Sequence, residues 1–188
     1  MAATSASNAW AVGSYPAGIS IKTLILRWNG RAWKQVPSPS PGKGLANFLS
    51  GVAATTAGGA WAVGDITGGG PGISLILRWN GTVWKRVPSP TPAGGAGLFG
   101  VAAVSARGAW AVGDTMTGDT SFGTVILRWN GTAWKQVPSP SPKPSAELSG
   151  VAATSASNAW AVGGTFNSTG SKPPPKTLIL RWNGKTWK

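Results

Sequence analysis

Thr177-Leu178-Ile179-Leu180-Arg181-Trp182-Asn183-Gly184 decides the fold. Its first six residues are apolar, β-branched or aromatic with one Arg among them, the composition of a strand. Asn-Gly follows at once. Between two strand-like runs this dipeptide signals a hairpin, because a type I′ turn needs positive φ at both central positions. The same turn recurs as Asn29-Gly30, Asn80-Gly81 and Asn130-Gly131, each after an Arg-Trp pair.

Working outward, the strand after the turn is seen whole as Thr132-Ala133-Trp134-Lys135-Gln136-Val137, and Pro138-Ser139-Pro140-Ser141-Pro142 ends it, since proline cannot donate to a ladder. Upstream of the octad lie a variable Gly, Ser, Thr and Pro-rich loop, the strand Ala159-Trp160-Ala161-Val162-Gly163, turn chemistry at Ser155-Ala156-Ser157-Asn158, and a small-residue strand, Leu148 to Thr154. The unit predicts four short antiparallel strands.

Tryptophan counts the copies. Trp10, Trp61, Trp110 and Trp160 form one column, spaced by 51, 49 and 50 residues. Trp28, Trp79, Trp129 and Trp182 form a second, and Trp33, Trp84, Trp134 and Trp187 a third. Self-similarity at a period of about 50 residues is the mark of a propeller, solenoid or array, and four antiparallel strands per copy make a propeller blade. The chain is therefore expected to be all-β, one propeller array with blades at approximately 1–41, 49–92, 99–142 and 148–188. Innermost strands crowd the axis, which suits Gly-Val-Ala-Ala. The Trp residues then fill the widening wedge between blades, each with about 4–6 kcal/mol of gross apolar burial from roughly 150–250 Å². Arg27, Arg78, Arg128 and Arg181 interrupt the apolar strand before the second column. Blade packing predicts them stacked on a Trp of the adjacent blade or forked onto carbonyls; a repeated anion site is the alternative.

Composition excludes several classes. The 188 residues include 28 Gly and 15 Pro with 11% charged residues, unlike a helical bundle. The twelve Trp and the Leu-Ile-Leu runs supply too much apolar surface for a disordered chain. Without Cys there is neither a disulfide nor a thiolate metal site, and His is absent as well. No cofactor is implied. No apolar stretch reaches a membrane span, and the N-terminus lacks the pattern of a signal peptide. The net charge of +13 arises from 17 basic and 4 acidic residues. One reading is an electrostatic footprint for nucleic acid, anionic polysaccharide or anionic lipid; the favoured one is that the charge repeats with the unit and spreads around a ring, leaving a non-specific attraction to polyanions at low salt.

Laid out this way, the blade resembles the kelch type of β-propeller. Trp160-Ala161-Val162-Gly163-Gly164 matches its aromatic and double-glycine strand, and Arg181-Trp182-Asn183-Gly184 with Trp187 matches the following strands and turn. The first three copies carry Ser14, Asp65 and Asp114 at the second glycine. The pattern is also similar to tectonin-type propeller lectins, through Trp-x-Val and Gly-x-x-Trp elements. The copies are closely alike: Ala2 to Gly13 is identical to Ala152 to Gly163. Recent amplification of one blade, or a designed or selected symmetric repeat, accounts for that. Met1 stands where other copies have Val52, Val101 and Val151, and the sequence stops at Lys188 before the expected Gln-Val-Pro-Ser-Pro, as a fragment of a longer array would.

An open arc of four such blades exposes a Trp-bearing face at each end, which soluble monomers rarely tolerate. We expect closure, with an eight-bladed homodimeric ring favoured over a four-bladed monomer, and self-assembly as the function. A glycan or polyanion on the variable rim loops, 14–22, 65–74, 114–123 and 164–176, is the second expectation. An enzyme is the third and the weakest. With no His or Cys, acid–base work falls to Asp65, Asp114, Asp119 and Glu147. Asp65 and Asp114 occupy equivalent positions and mark a possible ligand rim. Asn80-Gly81-Thr82, Asn130-Gly131-Thr132 and Asn167-Ser168-Thr169 match the glycosylation sequon.

Overall fold

The computed structural model describes residues 1–56, 58–167 and 174–188, and among these every regular element is a strand. The first repeat contains β1 (Ala2–Ser5), β2 (Asn8–Ala17), β3 (Ser20–Trp28) and β4 (Trp33–Gln35); the second β5 (Ala46–Thr56), β6 (Gly59–Thr67), β7 (Ile73–Trp79) and β8 (Trp84–Arg86). The third contains β9 (Gly97–Ser105), β10 (Gly108–Met116), β11 (Phe122–Trp129) and β12 (Trp134–Gln136), and the last β13 (Ser145–Ser155), β14 (Asn158–Phe166) and β15 (Lys176–Trp182). A Trp182–Trp187 bridge stands where the last repeat's outermost strand belongs. Within each repeat the strands pair antiparallel in chain order. One parallel pair, Ile21 with Ala46, links the first two repeats into a continuous sheet. The all-β, antiparallel expectation stands.

Two local expectations change. The outer strand is short, three residues rather than six, chiefly because Thr132 and Ala133 belong to the loop that precedes it, while Val137 still donates to the Ile126 carbonyl at 2.9 Å. The Asn-Gly hairpin is also not a two-residue turn. Trp28 pairs with Trp33, so four residues form the loop, and among the described residues only glycines have positive φ, Gly30 at 93° and Gly131 at 103°. The Asn side chain does the work that a left-handed Asn backbone would have done. Asn29 Oδ1 accepts from the Arg31 and Ala32 amides at 3.0 and 2.9 Å, and Asn80, Asn130 and Asn183 repeat the arrangement. This is the Asx-turn chemistry of Asn.

The inner strands lie against one another, β5 on β9 and β9 on β13. A Cβ on Gly51 would come within 2.7 Å of the Phe99 carbonyl oxygen, and one on Gly100 within 3.0 Å of the Gly150 Cα. Backbone meets backbone there, so the small residues are a steric requirement. A second polar device ties each outer segment back to its sheet. The buried Thr23 hydroxyl pairs with those of Ser38 and Ser40 at 2.7 and 3.1 Å. Ser74 does the same with Ser89 and Thr91, and Thr124 with Ser139. Pro can therefore end the strand without leaving the strap loose.

The core is three clusters, each shared by consecutive repeats. Trp10 and Ile25 of the first pack with Leu75, Leu77, Trp79 and Trp84 of the second. Trp61, Val63 and Ile76 pack with the third. Trp110, Val112 and Ile126 pack with Leu148, Leu180, Trp182 and Trp187. Every sheet is thus apolar on both faces, the reason its third strand reads as a continuous apolar run.

Candidate functional site

Strand register sets the chemistry of each face. Trp110 lies opposite Arg128, which lies opposite Lys135. Directly opposed residues share a face, so Trp, Arg and Lys form a row on the side turned to the next repeat. Ala109, Trp129 and Trp134 are likewise opposed and form the row on the rear side. The first repeat shows the same rows, Trp10-Arg27-Lys34 and Ala9-Trp28-Trp33.

Where a forward row meets a rear row, three indoles and one guanidinium interlock. Trp10 packs on Trp79 at 5.1 Å and edge-on against Trp84 at 5.2 Å. Trp61 repeats this with Trp129 and Trp134, and Trp110 with Trp182 and Trp187. Offset and edge-to-face contacts place positive ring edges on negative ring faces. The Arg27 guanidinium sits 5.2 Å from Trp10 and 5.9 Å from Trp79. Arg78 is 5.1 Å from Trp61 and 5.5 Å from Trp129, and Arg128 is 5.1 Å from Trp110 and 5.6 Å from Trp182. Each of these three arginines therefore contacts its own repeat's Trp and the neighbour's, one ring more than the sequence anticipates.

The terminal faces differ. Trp160, Val162 and Ile179 are 44%, 46% and 57% exposed, whereas their equivalents Trp110, Val112 and Ile126 are at most 1% exposed. Arg181 stacks on Trp160 at 5.3 Å, and the described contacts give it no second ring. On the opposite end Trp28 and Trp33 contact each other at 5.7 Å, and Trp33 is 41% exposed against 3% for Trp134. The four Trp of each column therefore do not share one environment.

Beside two of the arginines the surface opens into clefts. One of about 620 Å³ is lined by Ser7, Asn8, Arg27, Asn29, Lys34 and Gln35. One of about 570 Å³ adjoins Arg107, Arg128, Asn130, Lys135 and Gln136. Correspondence between the two was not legible in the sequence, since it depends on which face each residue takes.

The possible ligand rim gathers as well. Asp65 and Asp114 line one small cleft of about 210 Å³ with Phe99, Met116 and Phe122. Burial pushes the Asp65 carboxyl up. Asp114 is raised to about 6, by burial first and then by the negative charges of Glu147 and Asp65, against a lowering hydrogen bond from the Gly97 backbone. Glu147 thus acts on Asp114 through its charge without lining the cleft. Its strand position, opposite Gly164, was the signal available. Among the described residues no group of His, Cys, Asp or Glu is arranged to hold a metal. Ser168 and Thr169 of the sequon Asn167-Ser168-Thr169, with residues 170–173 of the 164–176 loop, lie outside the described residues.

No protein-family model and no curated protein matches the chain. Among solved structures it is similar to a variant of Aleuria aurantia lectin in complex with alpha-methyl-L-fucoside, with a TM-score of 0.55 and 12% identity over 96% of this chain and 59% of the lectin. It is also similar to the GH74 xyloglucanase of Xanthomonas campestris, with a TM-score of 0.50 and 16% identity over 89% of this chain and 27% of the enzyme. The chain thus spans under two thirds of either protein. These neighbours are β-propellers, and the chain shares that fold.

Proposed function

We propose that this chain is a non-enzymatic, self-assembling β-propeller module, in which four repeats serve as four blades and two copies join head to tail into an eight-bladed ring. The observation that supports it is one junction built three times inside the chain and left as two complementary halves at its ends. Trp160, Val162, Ile179 and Arg181 repeat a forward face; Trp28 and Trp33 repeat a rear face. Trp28 of a second copy would supply the second ring over Arg181, as Trp182 does over Arg128. Trp33 would meet Trp160 edge-on, as Trp187 meets Trp110. Such a contact is heterologous and closes when the rotation per blade divides the circle. Apolar faces as open as these favour burial over solvent. Eight blades relieve the steep wedge that a four-bladed ring requires. For the non-enzymatic part, the support is the absence of His and Cys and the structural engagement of Trp and Arg.

Sedimentation analysis at micromolar concentration tests it. The expected mass is twice that of the 19.1 kDa chain, and Trp160→Glu is expected to give a folded monomer with unchanged far-ultraviolet dichroism. A wild-type chain that sediments only as a monomer would overturn the assembly.

A further inference from the structure

The two clefts beside Arg27 and Arg128 carry chemistry that packing leaves unused. In each, the guanidinium lies against two indoles that themselves touch, so both rings sit on one side of it. A guanidinium fixed in this way offers its edge, where five N–H donors lie in one plane. Arg27 Nε donates to Asn8 Oδ1 at 3.2 Å, and Arg128 Nη2 to the Ala156 carbonyl at 3.4 Å. Most of the edge is left over. An exposed lysine of the same row stands beside it, Lys34 or Lys135, with the amides of Gln35 and Asn29 or of Gln136 and Asn130 nearby. No Asp or Glu lines either cleft.

From this we infer that the clefts are repeated binding sites for anionic saccharides. A sulfate or carboxylate would meet the Arg edge and the Lys ammonium, a charge-assisted and bidentate contact on the Arg side. Sugar hydroxyls would meet the Asn and Gln amides, which both donate and accept. Volumes of about 570 and 620 Å³ fall within the span usual for small-ligand sites. The arrangement favours a saccharide over single-stranded nucleic acid. Base stacking needs open aromatic faces, and Trp10 and Trp110 are buried beneath their arginines. Recurrence around the array would add avidity for a polymer bearing its charges at intervals. Both clefts lie within one chain, so the inference does not rest on ring closure.

The arginines also hold the junctions, so the lysines carry the test. Titration calorimetry at about 0.15 M salt would compare dextran sulfate, underivatised dextran and a single-stranded oligodeoxythymidylate. One variant combines Lys34→Gln and Lys135→Gln with Lys85→Gln, the lysine paired with Arg78 at the equivalent position of the second repeat. A control removes equal charge away from the clefts, at Lys22→Gln, Lys43→Gln and Lys143→Gln. The expected result is binding of dextran sulfate alone, weakened about tenfold by the row variant and less than about threefold by the control. Equal losses in the two variants, or an oligodeoxythymidylate affinity matching that of dextran sulfate, would overturn the sites in favour of diffuse charge. No binding of dextran sulfate would overturn them outright. Repeating the titration on Trp160→Glu keeps this outcome separate from assembly, since a monomer retains both clefts.

Discussion

At the residue scale, the arginines carry a double assignment that their sequence positions conceal. A charge inside an apolar strand reads as an interruption, yet here it lies against two touching indoles, where a cation–π contact that solvent still reaches contributes about 1 kcal/mol. Asp114 is the opposite case, a charge placed where neither burial nor its neighbours welcome it. Its pKa of about 6 exceeds the ordinary 3.8, so the folded chain binds this proton more tightly than the unfolded chain does. The stability it contributes is fully present below pH 3.8 and is lost as pH rises through about 6. Asp114→Asn is therefore expected to stabilise the chain at neutral pH by about 1 kcal/mol, discounted for the solvent that reaches a half-buried group. Thermal melts at neutral and acidic pH check it, and the gain should disappear below pH 3.8.

At the element scale, the glycine ending each Trp-Ala-Val-Gly run is the sharpest case of a residue whose reason is tertiary. A Cβ on Gly113 would fall on the Gly97 carbonyl oxygen, where the β9–β10 register shifts. In the first repeat β1 is short and nothing lies within 4 Å of the equivalent Cβ position at Gly13. Gly113→Ala is thus expected to cost about 3 kcal/mol in denaturant unfolding, and Gly13→Ala a few tenths or nothing. A local strand propensity would make the two alike. The repeat, its strands and the inner-to-outer order were legible because period and turn residues are local properties. Turn geometry was misread because an Asn side chain can cap a loop that its dipeptide assigns to backbone φ. The hydroxyl strap joining Thr124 to Ser139 and the cleft beside Arg27 depend on which residues of one repeat fold onto the same face, and the effect of the Glu147 charge on Asp114 depends on which repeats become neighbours; neither is written in a local run of sequence.

At the scale of the whole molecule, the two open faces differ, Trp160, Val162 and Ile179 on one and Trp33 on the other, so the proposed assembly would have a polarity. A chain bearing Trp160→Glu keeps its rear face, and one bearing Trp33→Glu keeps its forward face. Each alone is expected to sediment as a monomer. Mixed, they should form a two-chain species through the single intact junction, less resistant to dilution than the proposed wild-type ring because one contact replaces two. Two monomer peaks after mixing would show that these faces do not recognise each other. The opposite-sided rows have a consequence for inheritance too. Because both halves of a junction are written into every repeat, any duplication of one repeat duplicates a matching donor and acceptor surface together. Such a gene can lengthen or shorten by recombination without first evolving a compatible neighbour, and copies under that process are kept similar by the very fit they must share.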